Sequence, residues 1–121
     1  MKYDSLLTTA SASAPGVRLT VHRVSVGRRL ELLKRVRELT SRLEFYKAGA
    51  QLQDQLESSI ASAEIEALYV VWGIAKIENL TIDGLDATPE LLVSRGPEDL
   101  VREAATLVRS QLGLNENERK N

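Results

Sequence analysis

The chain has 121 residues, 43% of them apolar and 27% charged, with a formal net charge of −1; that is the balance of one globular domain rather than a disordered tract. It has no cysteine, which excludes disulfides, zinc–thiolate sites and cysteine nucleophiles. The near-uncharged run "ALYVVWGIA", residues 67–75, falls far short of the roughly 20 residues that a membrane span needs.

Residues 1–16 are rich in Ser, Thr and Ala and end in Pro15-Gly16, so they read as a flexible N-terminal arm without the apolar block of a signal peptide. "VRLTVHRV", residues 17–24, alternates Val17, Leu19 and Val21 with Arg18, Thr20 and His22, the pattern of a half-buried strand. Its partner must be the arm or another short strand, because a lone strand leaves its backbone unsatisfied. Ser25 is a natural N-cap for a helix over 26–47. In that helix Leu32, Val36, Leu39, Leu43 and Tyr46 recur in steps of four and three, a stripe along one face. Leu33 widens the stripe and Gly49 stops the helix. Residues 17–47 hold nine basic residues against three acidic ones. Arg28, Arg29, Lys34 and Arg35 are expected to face outward as a solvated surface, since no aromatics interleave with them as in a nucleic-acid reader.

Residues 51–77 read as helix again, with Leu52, Leu56 and Ile60 on one stripe and Ile65, Leu68, Trp72 and Ala75 on a second. The serines at 58, 59 and 62 suggest a break, with Ser62 capping the second part. Gly73 inside this pattern points to another backbone approaching closely. An Asp83-Gly84 pair between two short alternating segments predicts a tight hairpin near residues 80–87, because both central positions of a type I′ turn need positive φ. Thr88 then caps a short helix with Pro89 at its first position, and Gly96 closes it. Pro97-Glu98-Asp99 opens a last helix whose buried face holds Leu100, Ala104, Leu107, Val108 and Leu112, and Gly113 ends it. The expected fold is mainly α (α+β). It is one small helical domain over 17–113, with four to five helices, an N-terminal strand and the hairpin, followed by a frayed tail over 114–121.

Chemistry is thin in this pattern. Asp83, Asp86 and Glu90 lack the order of a calcium loop. Phosphate-loop, nucleophile-elbow and zincin motifs are absent, and His22, the sole histidine, sits on the polar face of a strand and offers no triad. The reading is therefore a non-enzyme with no catalytic residues, metal or cofactor.

Two segments carry a resemblance. "WGIAKIENLTIDGLDATPELL", with the later "GPEDL" and "NENERKN", resembles small proteins of tailed bacteriophages and prophages identified as tail assembly chaperones. "VSVGRRLELLKRVRELTSRLEFYKAG" is similar to the matching N-terminal part of those proteins. Relatives often carry Gly where this chain has Asn79 and Ser where it has Asn115. The resemblance implies a mainly helical chaperone in the bacterial host cytoplasm, absent from the mature virion. It would bind the tape measure protein, keep it soluble until tail-tube protein surrounds it, and need neither membrane nor nucleic acid; a homo-oligomer is compatible with it. The partner groove is expected to be lined by Tyr69, Trp72 and Ile82, around Gly73 and the hairpin. The alternatives are a structural tail or head-to-tail joining component kept in the virion, or a nucleic-acid binder using helix 26–47.

Overall fold

A computed structural model describes residues 1–113. Among them the chain divides into two compact units, one formed by residues 1–24 together with those from 69 onward, the other by residues 25–68. The expected domain spans 17–113; residues 1–16 fall within the first unit as well, and the tail expected over 114–121 lies outside the described residues. The fold class is mainly α with a few strands, as expected, with four helices among the described residues.

The first unit is built on an antiparallel sheet of order β1-β2-β3, with β1 Leu6–Ala10, β2 Arg18–His22 and β3 Ile74–Glu78. The alternation in β2 behaves as expected: Val17, Leu19 and Val21 are all buried. Thr20, on the opposite face, is buried too, its hydroxyl hydrogen-bonded to that of Thr8 at 2.8 Å. That bond satisfies a polar group that would otherwise cost stability. The flexible arm is corrected here. Residues 6–10 supply an edge strand, paired in register from Leu6↔His22 to Ala10↔Arg18, and so give β2 one of the two partners its backbone requires.

The helix expected over 51–77 is corrected at both its middle and its end. α2 runs unbroken over Leu52–Gly73, so the serines interrupt nothing, and Ile74–Glu78 leave it as β3. Two β-branched residues, Ile74 and Ile77, favour the extended form. They are both buried though three apart, which strict strand alternation forbids. A bulge resolves this: Val21 pairs with Ile74 and Thr20 with Lys76, leaving Ala75 as the extra residue. Ala75, expected on the buried stripe, is exposed.

Beyond β3 the turn chemistry holds closely. β4 Thr81–Ile82 and β5 Leu85–Asp86 form the hairpin, with Asp83 at φ 52° and Gly84 at φ 80°. Thr88 Oγ1 accepts the Leu91 N–H at 3.1 Å and starts α3, Pro89–Arg95. Gly96 closes α3 for want of space rather than for its φ: a Cβ there would lie 2.6 Å from the Leu92 carbonyl oxygen. α4, Glu98–Leu112, begins one residue later than expected, with Pro97 as its cap, and ends at Gly113 in the left-handed region. It buries Leu100, Ala104, Ala105, Val108 and Leu112. Gly73 is indeed a close-approach point, but to a side chain: a Cβ there would sit 2.5 Å from the Val108 methyls.

The second unit is α1, Val26–Lys47, with the first part of α2. Ser25 Oγ accepts the Arg28 N–H at 3.2 Å, as a capping serine should. On the expected stripe Leu32 and Val36 are buried, whereas Leu39, Leu43 and Tyr46 are half-buried. Leu33 does not widen that stripe; it is 48% exposed. Lys34 and Arg35 face outward as expected, but Arg28 and Arg29 are half-buried. Between the helices Asp54 accepts the Gln51 N–H at 3.3 Å, and Gly49 leaves the room that the Asp54 carboxylate occupies.

Candidate functional site

The residues expected to line a partner groove do not form one. Trp72 and Ile82 are each 7% exposed and belong to the core of the first unit. Tyr69 alone keeps some surface, and the Arg109 guanidinium lies over its ring at 5.3 Å, a geometry that stabilises the cation against the π face. A partner could reach Trp72 or Ile82 only by unpacking that core.

The open apolar surface lies instead on α2. Leu52, Leu56 and Ile60 are 71%, 53% and 51% exposed. Ala63 continues the line and Ala67 ends it half-buried, so the five follow steps of four, four, three and four. At 100° per residue those steps trace one side of the helix. The opposite side is the inward one, where Ala61 is buried and Ile65 and Leu68 are half-buried. α2 therefore has two apolar faces, and only one is covered among the described residues. The ridge is flanked by Glu57 and Glu64 on one side and Glu66 on the other, and α2 contains four acidic residues and no Lys or Arg. Sequence periodicity had picked out Leu52, Leu56 and Ile60 but could not tell an inward stripe from an outward one.

α1 presents a second exposed set. Val26, Leu30 and Leu33 are 78%, 53% and 48% exposed. They follow steps of four and three on a side distinct from the buried Leu32 and Val36, with Lys34 and Arg37 exposed beside them. The helix carries seven basic and three acidic residues. Two of its arginines are engaged within the unit, Arg35 with Glu31 at 2.9 Å and Arg42 with Glu64 at 3.4 Å.

One polar cluster stands out in the first unit. Glu103 of α4 accepts hydrogen bonds from the Ser11 hydroxyl at 2.6 Å, the Ala12 N–H at 2.7 Å, and the Ser13 N–H and hydroxyl at 3.2 and 2.6 Å. Burial acts to raise its pKa, but the hydrogen bonds from Ser11, Ser13 and Ala12 outweigh it and hold the carboxyl at about 2, below the usual 4.5. A groove of about 440 Å³ opens beside it, lined by Thr9, Ala10, Arg102 and Leu107 among others. With every oxygen of Glu103 engaged, the cluster works as a clasp between the β1–β2 loop and α4 rather than as an acid–base pair. Asp83, considered for a metal, pairs with Arg95 at 3.4 Å. Among the described residues no group of three or more His, Cys, Asp or Glu could hold a metal ion, and no helix is long and apolar enough to cross a membrane.

No family model, no curated protein and no solved structure matches the chain.

Proposed function

We propose that the protein is a non-enzymatic chaperone of phage tail assembly, which holds an amphipathic segment of the tape measure protein on residues 25–68. The observation that carries the reading is the outward apolar ridge Leu52, Leu56 and Ile60 on α2, opposite the buried Ala61. Contiguous apolar surface of this kind marks an interaction site, and a helix presents it in the form that another amphipathic helix fits. The resemblance around Trp72-Gly73, Ile82-Asp83-Gly84 and Gly96-Pro97-Glu98-Asp99 supplies the choice of client. This reading moves the partner surface from Tyr69, Trp72 and Ile82 to the ridge.

The test is co-expression with a tape measure protein from the same genome, scoring soluble client. The combined replacement of Leu52, Leu56 and Ile60 by Ser should abolish the gain in soluble client while leaving the circular dichroism of the chaperone unchanged. Mass spectrometry of purified particles addresses the alternative. Stoichiometric protein in the virion, with no effect on client solubility, would establish a structural tail component instead. A nucleic-acid role draws little support from α1, where Arg35 and Arg42 are already tied to carboxylates.

A further inference from the structure

We propose that, before a client arrives, the α2 ridge is covered by α1 of a second copy of this chain. The inference rests on the ridge being the client surface and adds the molecule that occupies it first.

Charge decides between the possible occupants. α2 has four acidic and no basic residues, so a ridge-to-ridge pairing of two α2 helices would bring carboxylates together along both flanks, which is unfavourable. The fitting occupant has an apolar centre and basic flanks. α1 meets this with Val26, Leu30 and Leu33 exposed in one line, Arg37 continuing that line one turn on and Lys34 beside it, in a helix with a surplus of four basic charges. The two exposed sets also match in extent, since three large apolar residues on α1 face three on α2. The inward residues of α1, Leu32 and Val36, are buried already, so the outer line is a separate surface. Each copy carries both halves of the contact: two chains that exchange it form a closed two-fold pair, and otherwise the contact runs head to tail into a ring where the rotation closes and a filament where it does not. A client helix with basic flanks competes for the same ridge, so client binding takes the assembly apart by mass action.

The experiment is light scattering on the purified full chain over a micromolar concentration range, with circular dichroism as the folding control. The wild-type protein should associate with rising concentration. Two charge-reversed variants are compared, one with Glu57→Lys and Glu66→Lys, the other with Lys34→Glu and Arg37→Glu. Each alone should self-associate at least about tenfold more weakly, because like charges then face one another. Mixed, they should associate with each other, since the reversed α2 of one meets the reversed α1 of the other. A wild-type chain that stays monomeric overturns the proposal, as does association that ignores both reversals or a mixture that fails to pair. Client solubilisation by a strictly monomeric chain would remove this inference and keep the proposed function. Charge-dependent self-association without any effect on the client would do the reverse.

Discussion

The two units spend their apolar residues differently. Residues 1–24 and those from 69 onward bury Leu19, Val21, Val70, Trp72, Ile74, Leu92, Leu100 and Val108 almost completely. Residues 25–68 bury only Leu32, Val36 and Ala61, and leave Leu30, Leu33, Phe45, Leu52, Leu56 and Ile60 about half exposed or more. Buried aliphatic area is what stabilises a fold. The first unit thus holds the features of a closed core, and the second those of an open apolar surface. Composition alone hides this, because both stretches are rich in Leu, Ile, Val and Ala.

The sharpest way to break the comparison is a matched pair of leucines. Leu100→Ala removes a side chain that is 1% exposed and should cost about 2–5 kcal/mol in urea unfolding. Leu56→Ala on the ridge should change stability by no more than about 0.5 kcal/mol. Equal losses would mean that the ridge is core after all. Next in size is Gly73→Val, whose Cβ would meet the Val108 methyls at 2.5 Å. Overpacking of that kind costs about 1–3 kcal/mol, read as a fall in melting temperature.

Gly84→Val tests backbone conformation without packing, since Gly84 has φ +80° and no atom within 4 Å of an added Cβ. A loss of about 1–2 kcal/mol is expected, the cost of the left-handed region for a residue with a Cβ. The smallest effect concerns the clasp. Because the Glu103 pKa is lowered from 4.5 to about 2, its contribution is full above 4.5 and is lost as pH falls through about 2. Glu103→Ala should cost on the order of 1 kcal/mol at neutral pH, and the difference between the two proteins should vanish in strong acid. A gap that persists there would assign the loss to packing instead.

What could be read in the sequence was local. Thr88, Pro89, Gly113 and Asp83-Gly84 act through their own backbone and neighbours, so their positions announced the caps and the hairpin before any tertiary structure was known. β1 was hidden because "LLTTA" gains its partner from β2, across the Pro15-Gly16 turn, and not from its own pattern. β3 was disguised by its bulge: burying both Ile74 and Ile77 produces a three-residue spacing that imitates a helix. The site failed for a related reason. Trp72 entered the expected groove by its closeness to Gly73 and the hairpin, and closeness to a tightly packed point predicts burial at least as well as exposure. The ridge was visible as a periodicity, but only the fold shows which of the two apolar faces of α2 is turned inward.

The placement of residues 25–68 has a consequence for how this chain can vary. β2 and β3 are hydrogen-bonded neighbours, yet the whole α1–α2 unit is threaded between them. The entropy of closing such an excursion rises only slowly with its length, by about 0.6 kcal/mol for each doubling. Helical turns can therefore be added to or removed from the excursion in matched pairs, and under the proposed function its outer residues can drift to follow a changing client. The sheet registers little of this as long as the end of α2 still delivers Trp72 and Gly73 to their places. Under that function, selection on recognition and selection on foldability act on different stretches of one chain.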